Sequence, residues 1–249
     1  MISVHNLYKQ FDNKHILKDV SFVVPEGETT AIIGKSGAGK SVLLKHLNGL
    51  LKPDSGEVWV DDELVSNMST RALQKIRSRM GMVFQSGALF DSMNVGENIA
   101  LALRRLTRLN EQQIQERIEY SLNEVDLVGT GMMMPAELSG GMKKRVGIAR
   151  AIAIQPDYLL YDEPTTGLDP VMTDMINRLI IKFQSQKQIT AVIVTHELRI
   201  VREVADRVIM LHDGQVWFDG SAADIQKSDD PVVRQFITGN STLINQRIA

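Results

Sequence analysis

Eight residues, Gly34-Lys35-Ser36-Gly37-Ala38-Gly39-Lys40-Ser41, constrain this chain more than any other stretch. They follow the apolar run Thr30-Ala31-Ile32-Ile33 and lead into Val42-Leu43-Leu44-Lys45-His46-Leu47, whose apolar spacing is helical. The order is strand, glycine loop, helix, and it fits the phosphate-binding pattern G-x-x-x-x-G-K-[ST] at every fixed position. The glycines let the backbone turn tightly, so that its N–H groups point inward at a polyphosphate. The helix opening near Lys40 adds the positive end of its dipole. In such a loop Lys40 reaches the β- and γ-phosphates and the Ser41 hydroxyl ligates Mg²⁺.

The remaining 241 of the 249 residues must serve or regulate that loop, and composition narrows how. An apolar content of 43% suffices for one large α/β domain or two small ones. Lys and Arg number 28 against 30 Asp and Glu, a net charge of −2. This near-neutral balance gives no electrostatic case for nucleic acid as the main partner. The chain has no cysteine, which excludes disulfides and thiolate metal sites. No apolar run approaches the roughly 18 residues that span a bilayer. Met1-Ile2-Ser3-Val4-His5-Asn6 lacks the charged and apolar regions of a signal peptide. The expectation is a cytoplasmic protein that borrows any membrane role from a partner.

Residues 2–8 alternate apolar and polar as a half-buried strand does, and residues 15–24 read as a second strand. An aromatic near the mouth of the phosphate loop is placed to stack on a base, with Phe11 and Tyr8 as candidates and core packing favoured for Tyr8. Residues 57–60 read as a strand and 69–79 as a helix with a solvated basic face. Met82-Val83-Phe84 reads as a short buried strand ending in Gln85, at the strand end where ligands of open α/β sheets bind. From about Val95 to Val128 the apolar steps are helical, with Ile114, Ile118, Leu122 and Val125 on one face, and the segment reads as a helical insertion. Met132, Met133 and Met134 read as gap-fillers or partner contacts.

Leu138-Ser139-Gly140-Gly141-Met142 opens another helix, with Ser139 as N-cap. Its free amides make a second anion cradle. One nucleotide has no need of two cradles from one chain, so this one is expected to serve another copy. Tyr158-Leu159-Leu160-Tyr161-Asp162-Glu163 is an apolar strand ending in two acids. Asp162 suits Mg²⁺. Glu163, one residue further out, is positioned to orient or deprotonate a water for in-line attack. Residues 165–170 turn into a helix over 171–184. The strand Ala191-Val192-Ile193-Val194 ends at Thr195-His196, which adds His196 to the strand-end groups as a sensor of the γ-phosphate.

In this order the motifs resemble the ATP-binding subunit of ABC transporters over residues 2 to about 225. The resemblance assigns Phe11 to base stacking, Gly34 to Ser41 to the Walker A loop, and Gln85 to the Q-loop. Leu138 to Met142 match the signature motif, Tyr158 to Asp162 match Walker B, and Glu163 matches the catalytic glutamate. Gly167-Leu168-Asp169 match the D-loop and His196 the switch histidine. It implies an α/β fold: a P-loop NTPase core with a predominantly parallel sheet, an antiparallel N-terminal β subdomain and a helical insertion. The ATPase domain is expected over 1–225, with its helical subdomain at about 90–152 and a C-terminal extension over 226–249. The implied ligands are ATP and Mg²⁺, the metal held by Ser41, Gln85 and Asp162. The family works as a head-to-tail dimer, in which Ser139, Gly140 and Gly141 close over the ATP of the other copy. That gives the surplus cradle a purpose.

Met142 stands where the family usually has Gln, and Lys35 where Pro is frequent; neither change removes a catalytic group. The runs Glu137 to Arg145, Phe84 to Asp91 and Asp230 to Ile237 resemble the ATPases of the phospholipid-transport (Mla/MCE) branch. That branch implies a permease dimer in the inner membrane, an MCE-domain lipid-binding protein beyond it, and a small STAS-domain protein able to bind the helical region. It also implies a place on the cytoplasmic face of the inner membrane, and a C-terminal tail that contacts the neighbouring copy. From Thr242 onward the tail reads equally as a frayed terminus. The rival readings are the ATPase of a small-solute importer, a regulatory ABC ATPase of the cell-division type, and a soluble P-loop kinase. The last would leave Leu138 to Met142 and His196 without purpose.

Overall fold

The first strand, β1 (Ile2–Phe11), buries Ile2, Ser3, Val4 and Leu7, and an irregularity between Val4 and Leu7 breaks the simple alternation of faces. The computed structural model describes residues 1–239. The stretch from Thr242 onward lies outside the described residues. The chain divides into two units, one from Met1–Asn67 and Val192 onward, the other Met68–Ala191.

In the first unit β1 pairs antiparallel with β2 (Lys14–Val24) on one side. On its other side it pairs antiparallel with β4 (Ser55–Val60). The short β5 (Glu63–Leu64) completes a sheet of order β2-β1-β4-β5. Its buried face carries Leu17, Val20, Phe22, Val58 and Val60. Between β2 and β4 in sequence comes β3 (Thr29–Ile33), which belongs to a second sheet; its five residues are all buried, as a strand covered on both faces requires. The glycine loop follows, then α1 (Lys40–Leu47).

The second unit opens with α2 (Thr70–Arg77), capped by Ser69, and β6 (Met80–Val83). The helix α3 (Val95–Leu106) starts at a capping box in which Asn94 Oδ1 accepts from Glu97 N and Glu97 Oε2 accepts from Asn94 N, both at 2.8 Å. Asn110 and Gln113 repeat this device, at 2.9 Å each way, for α4 (Glu111–Glu124). Next come α5 (Gly140–Ala153), β7 (Tyr158–Asp162) and α6 (Pro170–Lys187). Helix α5 packs against α3, α4 and β6, and β6 runs parallel to β7.

The chain returns to the first unit through β8 (Thr190–Val194) and α7 (Leu198–Glu203). Two further strands follow that the sequence reading does not anticipate. They are β9 (Arg207–His212), parallel to β3, and β10 (Gln215–Ser221), antiparallel to β9. The six-stranded mixed sheet runs β10-β9-β3-β8-β7-β6. The chain ends in α8 (Ala222–Lys227) and α9 (Pro231–Thr238). Residues Ile225 and Val233 of these helices close a core with Ala31, Ile33, Val208 and Met210. Among the described residues no helix is long and apolar enough to cross a membrane.

Boundaries shift where side chains alone do not set them. The strand expected to end at Gln85 stops at Val83, because a turn closed by Gly87 N on Phe84 O, 2.9 Å, follows it. Gln85 therefore sits exposed in that turn, two residues beyond the strand. The strand expected from residue 57 begins at Ser55, and the helix expected over 171–184 spans Pro170–Lys187.

Candidate functional site: a phosphate loop and a gathered acidic turn

In the first unit the loop Gly34 to Gly39 joins β3 to α1. Its shape depends on glycine where neighbours press closest. Gly39 has φ +97, and a Cβ there would meet Leu17 Cδ2 at 2.9 Å and Ile16 O at 3.1 Å. A Cβ on Gly34, φ +149, would meet the Leu211 carbonyl oxygen. Lys35, Ser36, Gly37 and Ala38 form one wall of a cleft of about 380 Å³. Lys14, His15, Ile16 and Lys18 of β2 and the turn Leu211 to Asp213 form the others. Three lysines, two histidines and a single acid thus line a cleft beside a loop of amides, which is the lining a polyanion needs.

Lys40 is buried at 7% exposure, and its Nζ donates to the carbonyls of Gly34 at 3.0 Å and Lys35 at 3.3 Å. Its ammonium therefore lies within the loop's curve. Ser41 follows in the first turn of α1. Phe11 ends β1 with 42% exposure, opposite Lys14 in register, and Lys9 Nζ lies 5.3 Å from its ring centroid. Tyr8 is 39% exposed on the same strand. Thr195 N donates to Ile32 O at 3.1 Å, which sets the exposed His196 just past the strand that feeds the phosphate loop.

In the second unit one helix gathers the other expected groups. Ser139 caps α5, its Oγ accepting from Met142 N at 3.2 Å. Gly140 is exposed, and Gly141 is buried with its Cα backed by Met172 of α6. Lys144, 7% exposed, donates to Thr166 O at 2.5 Å. That bond fastens α5 to the turn after β7. In this turn Glu163 is 9% exposed and holds φ +50, a left-handed conformation that costs a side-chain-bearing residue energy. Thr166 Oγ1 donates to Glu163 Oε2 at 2.9 Å and so orients the carboxylate. Asp169 caps α6, accepting from Val171 N and Met172 N at 2.9 and 3.0 Å. Asp162, the last residue of β7, is also 9% exposed.

Ser41, Gln85 and Asp162 each offer a hard oxygen donor, the chemistry Mg²⁺ takes alongside phosphate oxygens. Sequence reading misses Lys14, Lys18 and His212 of the cleft, although the basic start of β2 is a visible signal. It also misses Lys144 and Thr166, whose roles arise only from tertiary contact.

Comparison with known proteins agrees with this chemistry. The family described as ABC transporter matches residues 17–166. The intermembrane phospholipid transport system ATP-binding protein MlaF of Escherichia coli strain K12 is 42% identical over 227 residues, covering 91% of this chain and 84% of MlaF. The probable ribonucleotide transport ATP-binding protein mkl of Mycobacterium tuberculosis strain H37Rv is 42% identical over 238 residues, 96% of this chain. The chain spans 66% of that relative's length. Among solved structures, the ATP-binding cassette MJ0796, in a dimeric post-hydrolysis state bound to ADP and Pi, superposes with a TM-score of 0.83. It is 33% identical and covers 89% of this chain and 99% of its own.

Proposed function

The chain belongs to the ABC transporter family as an ATP-binding subunit that hydrolyses ATP, and from this we propose that it powers phospholipid transport between the inner and outer membranes and so maintains lipid asymmetry of the envelope. The observation that carries the reading is the match to MlaF over 91% of this chain and 84% of that relative. The mycobacterial relative of equal identity is named for ribonucleotide transport and is covered over a smaller share. The lipid reading draws further support from the runs Glu137 to Arg145, Phe84 to Asp91 and Asp230 to Ile237, which resemble the phospholipid branch.

ABC cassettes dimerise and work with membrane permeases. In our reading two copies bind ATP, and Ser139, Gly140 and Gly141 of each close over the nucleotide held by the other. Phe11 stacks on the base, and residues 34–41 wrap the phosphates. Lys40 takes up charge on the β- and γ-phosphates. Ser41, Gln85 and Asp162 would hold Mg²⁺, which when bound would neutralise phosphate charge. Glu163, oriented by Thr166, draws a proton from the attacking water. His196 senses the γ-phosphate, and Asp169 helps couple the two copies. The strained backbone at Glu163 is what a preorganised catalytic group carries. A permease dimer docks near the Gln85 loop and the helical subdomain at about 90–152. The ATPase sits on the cytoplasmic face of the inner membrane, where a small STAS-domain protein can bind its helical region, and an MCE-domain protein lies beyond the permease on the other side. Of the extension over 226–249, the described part up to residue 239 braces the neighbouring copy.

The test is purification of tagged Glu163→Gln protein from solubilised membranes with ATP, followed by mass spectrometry. Co-purification of a permease with an MCE-domain protein is expected. A solute permease with a binding protein, or a lone division-type membrane protein, overturns the lipid reading. In parallel, Glu163→Gln abolishes turnover while favouring an ATP-bound dimer, and Lys40→Ala weakens ATP binding. Near-normal hydrolysis by the first variant removes Glu163 from its role.

A further inference from the structure

A half-buried positive charge in α5 has no part in the chemistry above. Arg150 donates from Nη1 to Ala88 O and from Nη2 to Gly87 O, both at 2.8 Å. Among the described residues these two carbonyls are its hydrogen-bond partners, and no carboxylate pairs with it. Burial alone pulls its guanidinium below the ordinary value. Drawing an unpaired cation even partly out of water is costly unless its donors are well matched. Here the planar fork of the guanidinium meets two successive acceptors, an arrangement one ammonium cannot reproduce.

The gripped loop is one that local forces would not hold. Ala88 has φ +45, in the left-handed region unfavourable to residues with a side chain. Gly87 lies so close to α5 that a Cβ there would come within 2.8 Å of Lys143 O. From the α5 side, a Cβ on Gly147 would meet Gly87 Cα at 3.2 Å and Gly87 O at 3.3 Å. Further along, the buried Asn98 holds the loop's other end. Its Oδ1 accepts from Phe90 N at 2.8 Å, and its Nδ2 donates to Met93 O and Asn94 O at 3.0 Å each. Gln85 stands two residues ahead of the first grip.

We propose that Arg150 is a positioning residue for Gln85: through Gly87 and Ala88 it makes the loop bearing Gln85 move as one body with α5, the helix that begins at the Ser139 cradle. The inference rests on the reading above, in which Gln85 meets the metal of one ATP and Ser139 the ATP of the other copy. Arg150 then keeps the metal contact and the phosphate contact of one chain in register as the copies close. Its loss leaves nucleotide binding intact and slows the step that needs both contacts aligned.

The experiment is steady-state ATP hydrolysis by the full chain with Mg²⁺ over a range of ATP, with amide hydrogen exchange on the same samples. Arg150→Lys keeps the charge and removes the fork. Gly147→Ala leaves Arg150 in place, presses on the same loop and favours the helix. Both variants are expected to lower kcat by about tenfold, since small misplacements cost that much. KM for ATP stays within about twofold, and exchange quickens at the amides of residues 86–90 more than within α5. A kcat within about twofold of the parent for both variants overturns the proposal. So does a loss confined to KM, or unchanged exchange in the loop. A parent chain that hydrolyses ATP no faster than Lys40→Ala removes the ATPase reading, and this proposal falls with it. Normal hydrolysis with unaffected variants removes this proposal alone.

Discussion

Tyr161 lies in β7 at 0% exposure, and among the described residues its hydroxyl has no hydrogen-bond partner. Burial pushes its ionisation far above the ordinary value. An unmet buried hydroxyl is a cost, so Tyr161→Phe is expected to be neutral or to stabilise by up to about 1 kcal/mol. A denaturant melt that shows a loss of that size instead would mean the hydroxyl is bonded. His46 makes a prediction with pH. It is 1% exposed in α1, and its Nδ1 donates to Val42 O at 2.7 Å. Desolvation lowers its pKa below the ordinary 6.5, with nearby Lys9 adding to the shift and the Val42 bond opposing it. The unfolded chain takes up the imidazole proton first as pH falls. Stability is therefore full above about 6.5 and declines below it, at no more than about 1.4 kcal/mol per pH unit. Thermal melts at pH 7.5 and 5.5 should show the drop, and His46→Gln should flatten it. An equal drop in that variant would assign the effect elsewhere. Both residues are present in the sequence without any mark of these properties, because the property is the burial.

Helix α9 shows how an element depends on one cap. Asp230 Oδ1 accepts from Val232 N and Val233 N at 2.9 and 3.0 Å, and from Trp217 Nε1 at 2.9 Å. The apolar side of α9 then rests on its own chain's core through Val233, with Val232, Phe236 and Ile237 around it. Asp230→Ala is expected to cost about 1–2 kcal/mol, the worth of a strong N-cap. That lowers the melting temperature by roughly 2–8 °C for a chain of this size. An unchanged melt would show that α9 adds nothing to the fold. The helical spacing of Val232, Val233, Phe236 and Ile237 is legible in the sequence. What covers them is not, since β9 and β10 pass unread although Asp213-Gly214 is a strong hairpin signal. In the structure Asp213 and Gly214 have φ +49 and +82, and His212 pairs with Gln215 across a two-residue turn. The stretches 30–47 and 158–163 are readable for a simple reason: each carries its strand, turn and polar group within a few consecutive residues.

Across each unit the groups that local pattern reveals are held by groups that it hides. Lys40, Gln85, Ser139 and Glu163 announce themselves by motif. Lys144 and Arg150 sit in the body of α5 as two more basic residues in a helix, and their acceptors lie 22 and 62 or more positions away. No periodicity records such a distance. The cleft beside the phosphate loop has the same character. Two of its three lysines, Lys14 and Lys18, come from β2, while His212 arrives from a strand nearly two hundred residues later, brought in by the pairing of β9 with β3. His212 also meets Trp217 edge-on, with ring centroids 5.2 Å apart. The chain has two tryptophans, and the other, Trp59, lies in the four-stranded sheet with its indole N–H on Glu57. The protein thus carries a fluorophore whose neighbour lines the polyanion cleft and a second one that does not line it. An anion entering the cleft is expected to perturb the surroundings of Trp217 more than those of Trp59, which a titration with ATP followed by tryptophan emission checks. Occupancy becomes visible as a change in ultraviolet emission, without a label.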